Sequence, residues 1–175
     1  EKKKIIIRPL IRKKYYEINN YQKKNNLFTI IIIGGSQGAS IFDTLINEIL
    51  IKISRICSLK VIHQTSKKNI HLLKSFYQEN KIESKVFTFN QNLNDFLKQS
   101  DVCITRAGAS SLAELSMLNI PFVAIPLPTS KDNHQYENAK YYSDKNCCWI
   151  IDQNNFDKKK FEELLIKISL KKEEY

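Results

Sequence analysis

The sequence predicts a doubly wound α/β domain, a parallel sheet with helices on both faces, and three observations carry that prediction. Strand-like and helix-like segments alternate from Leu27 onward, and crossovers of that kind make neighbouring strands parallel. The leading strand holds four consecutive isoleucines, Ile30 to Ile33, which fits burial on both faces. Two glycine-rich turns each follow a strand and open a helix, at the carboxyl rim where such sheets hold ligands.

Taken in order, the first strand runs from Phe28 to Ile33 and a helix follows from about Ala39 to Ile53. Ile41, Leu45, Ile49 and Ile53 recur every four residues in that helix, with Phe42, Ile46 and Leu50 as the adjacent row, so its apolar stripe must lie on a sheet. Lys60–Gln64 reads as a strand, Lys67–Asn80 as a helix and Lys85–Phe89 as a strand. A short helix at Leu93–Lys98, a strand at Val102–Thr105, a helix at Ser110–Leu118 and a strand at Phe122–Ile125 continue the alternation. A helix near Asn133–Ser143, a strand at Cys148–Ile151 and a helix at Phe156–Leu170 complete it. Residues 1–26, basic and asparagine-rich with Pro9, read as a linker or entering segment, and the folded domain is expected over 27–175.

A chain of 175 residues with 42% hydrophobic and 26% charged residues suffices for one domain with its own core. No apolar run approaches the roughly 18 residues that cross a bilayer, and the start EKKKIIIRPLIRKK has too short an apolar stretch for a signal peptide, so the cytoplasm is the expected compartment. Cys57, Cys103, Cys147 and Cys148 lack metal-ligand spacing, and the adjacent pair falls in an apolar strand-like segment; all four read as reduced structural thiols. The net charge of +10 suits anionic headgroups or a diphosphate, and equally reflects a Lys-, Ile- and Asn-rich composition with no basic patch at all. Aromatic residues do not interleave with the basic runs, so nucleic acid is not an expected partner.

The first turn, GGSQGA at Gly34–Ala39, exposes backbone N–H groups at a helix start, which suits a phosphate or a sugar; it is also an ordinary strand-to-helix turn. It is neither a Walker loop nor a dinucleotide fingerprint. In RAGASSLAE, Gly108 permits close approach, and Ala109, Ser110 and Ser111 offer backbone and hydroxyl donors at a helix start, where a diphosphate is stabilised without a metal. Glu114, one turn further in, suits the two hydroxyls of a ribose. The structural alternative makes Ser110 or Ser111 a helix cap and Glu114 an exposed charge. Gln135, in the polar segment after FVAI, suits sugar hydroxyls. Neither His63 nor His71 has a nearby Ser/Asp or Cys arrangement that makes a triad, and no carboxylates are paired for glycoside hydrolysis.

Four blocks, IIIGGSQGAS, VIHQTSK, FTFNQNLNDFLKQSDVCITRAGASSLAELSMLNIPFVAIPLP and DNHQYENA, in this order and spacing, resemble the C-terminal half of the MurG family. That family comprises the bacterial UDP-N-acetylglucosamine transferases that make lipid II from lipid I. The resemblance runs from about Arg12 to the end and implies the Rossmann-like donor-binding half of a GT-B glycosyltransferase. It places Ser36, with Gln37 and Gly38, beside the donor and Asn90 at the backbone position that reads the uracil edge. Gly108, Ala109, Ser110, Ser111, Leu112, Ala113 and Glu114 match the diphosphate and ribose loop, and Gln135 matches the glutamine that contacts the N-acetylglucosamine hydroxyls. Arg12 aligns with the arginine that ends an interdomain G-x-P-x-R segment, although RPLIR here has Arg8 for the glycine and a displaced proline.

The resemblance implies no cofactor, no metal and no catalytic residue in this half; the general base would come from an N-terminal domain that has no counterpart in the sequence. Residues 1–26 then become an interdomain linker and 27–175 the UDP-sugar donor domain, as half of a longer enzyme or as one chain of a split pair like the eukaryotic dolichol-pathway transferase. The implied partners are UDP-N-acetylglucosamine, lipid I through the N-terminal domain, and an anionic membrane surface at the cytoplasmic face of the bacterial inner membrane, bound peripherally. Two alternatives stand beside this reading: a UDP-sugar-binding module without turnover, and another GT-B enzyme such as a UDP-sugar epimerase or a glycolipid synthase.

Overall fold

The computed structural model describes residues 27–35, 40–89 and 93–171. Six parallel strands form one sheet in the order β3-β2-β1-β4-β5-β6. They are β1 (Phe28–Ile33), β2 (Leu59–Gln64), β3 (Glu83–Phe87), β4 (Val102–Thr105), β5 (Phe122–Ala124) and β6 (Cys148–Ile150). The chain winds outward from β1 to β3, returns to lay β4 on the other side of β1, and winds outward again. The seam between β1 and β4 is therefore the topological switch point, where the connections on the two sides diverge and leave a crevice at the carboxyl ends.

The isoleucine run explains the centre. Ile30 and Ile32 face one side, where they pack with Phe42, Ile49, Leu50, Ile53, Tyr77, Phe161 and Leu165. Ile31 and Ile33 face the other, with Phe96, Leu97, Leu112, Leu115 and Ala139. The first layer is built by α1 (Phe42–Leu45), α2 (Asn47–Ile56), α3 (Ile70–Glu79) and α7 (Lys158–Leu170); the second by α4 (Leu93–Leu97), α5 (Ala109–Met117) and α6 (His134–Ser143). Each fully buried isoleucine contributes about 1.5–3 kcal/mol relative to exposure, so the run is a large share of what fixes this strand at the centre.

Several boundaries differ from the sequence reading for identifiable reasons. The single helix expected over 39–53 is two: Ile46, at φ −110° and ψ −2°, leaves helical geometry between α1 and α2, and α2 continues to Ile56. The third strand lies two residues earlier than Lys85–Phe89, because its exposed start pairs Lys60 with Glu83, joined by an ion pair of 2.9 Å. Cys147 is outside β6 and exposed, while Cys148 is buried in it and donates to Ala139 O. Asp157 caps α7 by accepting the Lys160 N–H at 3.0 Å, and Phe156 and Phe161 staple that start from outside with ring centres 5.2 Å apart. Before α6, a short 3-10 turn at Lys131–Asn133 carries Asp132 and Asn133 at φ 50° and 52°, a left-handed conformation these residue types tolerate.

Candidate functional site

The carboxyl rim at the switch point is built from three segments: the turn after β1, the turn after β4, and the loop and helix after β5. After β1, Gly35 takes φ +82°, so the chain there requires glycine. Gly108 is different. Its φ is −69° and ψ 134°, open to any residue, and a Cβ built there would meet only Ser111 Oγ at 3.8 Å. Nothing in the fold itself demands glycine at this position, which leaves room above it for a ligand to come close.

Gly108 is the N-cap of α5, and no side chain caps the helix. Ser110 and Ser111 are thus not caps, contrary to the structural alternative; Ala109 and Ser110 are exposed and Ser111 is half-buried, so the first-turn N–H groups face the rim. An uncapped helix start of this length carries partial positive charge and bare donors, the arrangement that receives a phosphate. Leu112, Ala113, Glu114 and Leu115 are all buried. Glu114 is only 5% exposed and engaged within the fold, which corrects the alternative of a solvated helix charge.

Arg106, not singled out from the sequence, stands at the end of β4. Its Nη1 donates to Ile125 O at 2.9 Å and Pro126 O at 3.1 Å, and its Nη2 to Gln153 Oε1 at 2.7 Å. The guanidinium also lies over the Phe42 ring, 5.0 Å from its centre. Among the described residues its partners are carbonyl groups and a ring face, with no carboxylate. Burial lowers its pKa from the ordinary guanidinium value, and an arginine stays charged even so. A half-buried cation with no counter-ion among the described residues, at the switch point between both glycine turns, favours an anion beside it. A strand-end arginine ahead of the glycine turn was the available signal, but its partners come from β5 and the loop after β6, which spacing does not reveal.

On α6, Gln135 Oε1 accepts the Leu127 N–H at 2.9 Å. That contact fixes which way the amide is turned and leaves Nε2 as a donor. Of the expected site residues, Gly108 to Glu114 and Gln135 thus sit on the rim segments after β4 and β5. Arg12, Ser36, Gln37, Gly38 and Asn90 lie outside the described residues, as does the segment 1–26.

A buried polar cluster lies below the rim. Asp43 Oδ2 accepts from Thr65 Oγ1 at 2.8 Å and Asn69 Nδ2 at 2.6 Å, and Asp43 Oδ1 is 3.3 Å from His63 Nε2. His63 Nδ1 is 2.7 Å from the Tyr77 hydroxyl. His63 thus has an acidic neighbour that folding brings from twenty residues earlier in the chain, but the third member is the buried Tyr77 hydroxyl, so the cluster is not a nucleophilic triad. With the carboxylate at Nε2, the consistent tautomer carries its proton there, and Nδ1 accepts from Tyr77. Burial raises the Asp43 pKa, but the close approach of His63 and the hydrogen bonds from Asn69 and Thr65 outweigh it and hold the carboxyl below its ordinary value. Burial dominates at His63 and keeps it neutral. With His63 fully buried and Asp43 2% exposed, the cluster ties α1, β2 and α3 together and has no access to a substrate.

A cavity of about 680 Å³ opens at the opposite end of the sheet, lined by Ser116, Asn119, Phe122, Ser143, Cys147 and Lys167 among others. It faces the carboxyl ends of α5 and α6, whose dipoles repel anions. Its place and polarity do not suit a nucleotide. Among the described residues no group of His, Cys, Asp and Glu side chains is arranged to hold a metal.

A sheet in this order, with a crevice at β1/β4 and a bare helix start beside Arg106, defines a doubly wound, Rossmann-like domain with a rim suited to an anion. The chain belongs to glycosyltransferase family 28, matching the model of its C-terminal domain over residues 29–175. It is 43% identical over 170 residues to the UDP-N-acetylglucosamine--N-acetylmuramyl-(pentapeptide) pyrophosphoryl-undecaprenol N-acetylglucosamine transferase of Pelagibacter ubique (strain HTCC1062), covering 97% of this chain and 48% of that protein. The chain spans about half the length of the curated relatives it matches. Its fold is similar to that of Acinetobacter baumannii MurG, with TM-score 0.77 and 24% identity over 86% of this chain and 46% of that one. The solution structure of ALG13 is similar at TM-score 0.55 and 14% identity, over 83% of this chain and 86% of that one.

Proposed function

We propose that this chain is the donor-binding half of a transferase that moves N-acetylglucosamine from UDP-N-acetylglucosamine to lipid I, forming lipid II in peptidoglycan synthesis. The observation that carries the reading is the uncapped start of α5 at the switch point, with Gly108 leaving space above it and Arg106 beside it. The name of the Pelagibacter relative supports the choice of donor and acceptor.

In this reading the diphosphate lies over Gly108 to Ser111, Glu114 accepts hydrogen bonds from the ribose hydroxyls, and Gln135 Nε2 donates to a sugar hydroxyl. The exposed ring of Phe89, two residues past β3 and next to position 90, stacks on the uracil. Asn90, Ser36 with its turn, and Arg12 complete the donor contacts. The muramyl C4 hydroxyl of lipid I attacks the anomeric carbon, the bond to the diphosphate oxygen breaks, and configuration inverts; a base on the N-terminal half takes the hydroxyl proton. This half contributes leaving-group stabilisation. Charge growing on the departing UDP meets donors already aimed at it, and one such donor is typically worth about 3 kcal/mol.

The reading sets the domain at the cytoplasmic face of the inner membrane, bound peripherally and drawn to anionic lipid by its net charge of +10. No helix among the described residues is long and apolar enough to cross a membrane. The test is calorimetric titration with UDP-N-acetylglucosamine, followed by a transfer assay with lipid I and a supplied acceptor-binding half. Binding with transfer supports the enzyme, binding without transfer supports a module that only holds the nucleotide sugar, and no binding contradicts both.

A further inference from the structure

The second glycine turn is held by a residue outside it. Asn138, on α6, donates from Nδ2 to Ala107 O at 3.0 Å. Ala107 is fully buried, so this carbonyl has no water to turn to. The chain has no cis peptide bond among the described residues, and in a trans peptide the C=O and the following N–H point in opposite directions. Fastening the Ala107 carbonyl to α6 therefore aims the Gly108 N–H the other way. That N–H meets no acceptor among the described residues and stands just ahead of the uncapped first turn of α5.

The same helix carries Gln135, three residues before Asn138 and on the same face. Gln135 is itself tied to the loop after β5 through the Leu127 N–H. One short stretch of α6 thus grips the turn after β4 with one amide and the loop after β5 with another.

We propose that Asn138 is a positioning residue for donor binding: by holding the Ala107 carbonyl it directs the Gly108 N–H at the diphosphate of a nucleotide sugar, in register with Gln135. This rests on the reading of the rim as a donor site. Asn138 touches no substrate; it acts through the Ala107–Gly108 peptide. Removing its amide lets that peptide rotate, and the effect falls on phosphate recognition and leaves nucleoside recognition alone.

The test is amide-resolved NMR titration of the full chain with UDP and, separately, with uridine, for wild type, Asn138→Leu and Asn138→Asp, with thermal unfolding of each. In wild type the Gly108 amide proton should move downfield with UDP and stay in place with uridine. Both variants should bind UDP about tenfold more weakly, the loss expected for one charge-assisted donor, while uridine affinity changes by less than about twofold. Wild type that binds UDP with an unmoved Gly108 amide overturns the proposal, and that result needs no variant to fold. Equal loss of UDP and uridine affinity overturns it too, being the signature of a loosened fold. Wild type that binds neither ligand overturns the donor-site reading beneath it, which tells the two failures apart.

Discussion

At Gly108 the backbone is ordinary and the space above it is open, whereas at Gly35 the positive φ makes glycine a requirement of the chain. The two positions answer differently to substitution. Gly108→Ala should change thermal stability by no more than about 1 kcal/mol, because the freedom alanine removes from the unfolded chain is offset by its poorer fit at the N-cap, while UDP affinity falls as the new methyl meets the diphosphate. Parallel melting curves and titrations check both halves of that statement. Glu114→Ala should weaken UDP binding by about 1–3 kcal/mol through loss of charge-assisted bonds; unchanged affinity by calorimetry would remove Glu114 from the site. His63 supplies a pH signature. It is buried and neutral with its pKa below the ordinary value, so below about pH 6.5 the unfolded chain takes up a proton that the folded chain refuses. Stability is full above that pH and declines as pH falls, by up to about 1.4 kcal/mol per unit. Asp43 adds its loss only further down, through the carboxylate range. Urea unfolding at pH 7.5 and 5.5 should show the decline in wild type and a flatter profile in His63→Gln.

Between elements, the contact of α2 with α7 shows which interactions hold the first layer. Phe161, Leu165 and Ile168 of α7 are fully buried with Ile49, Leu50 and Ile53 of α2. Around them run two ion pairs, Lys52–Glu162 at 2.6 Å and Lys158–Glu48. Exposed pairs of this kind are screened and cost side-chain entropy. Leu165→Ala should therefore lose about 2–5 kcal/mol in chemical denaturation, and Glu162→Ala no more than about 1 kcal/mol. The break at Ile46 belongs to this scale as well. Both apolar rows continue through it, so periodicity registers one helix; the bend leaves α1 with Asp43 turned to Thr65, Asn69 and His63, while α2 lies with Ile49, Leu50 and Ile53 on the sheet. Residue spacing encodes which face is apolar, and a bend that preserves the face leaves no trace in it.

For the whole molecule, the parallel sheet and its two helical layers were legible because four adjacent isoleucines admit few other environments and because each strand is separated from the next by a helix. The edge was harder: β3 begins with Glu83, Ser84 and Lys85, polar residues that read as loop until pairing with β2 defines them as a strand. Within the rim, glycine turns and a helix start were visible as local patterns. The roles of Arg106 and Asn138 were not, since each is defined by carbonyl groups 19 to 47 residues away in sequence. The buried Asp43–His63–Tyr77 cluster escaped for the same reason. What remains to be tested most directly is the rim itself, by mapping UDP-N-acetylglucosamine onto the full chain through amide shift changes. The largest changes are expected at residues 106–114 and at Gln135, with the cavity beside Lys167 and Cys147 unperturbed. Changes centred on that cavity, or none anywhere at saturating donor, would contradict the donor-site reading of the rim.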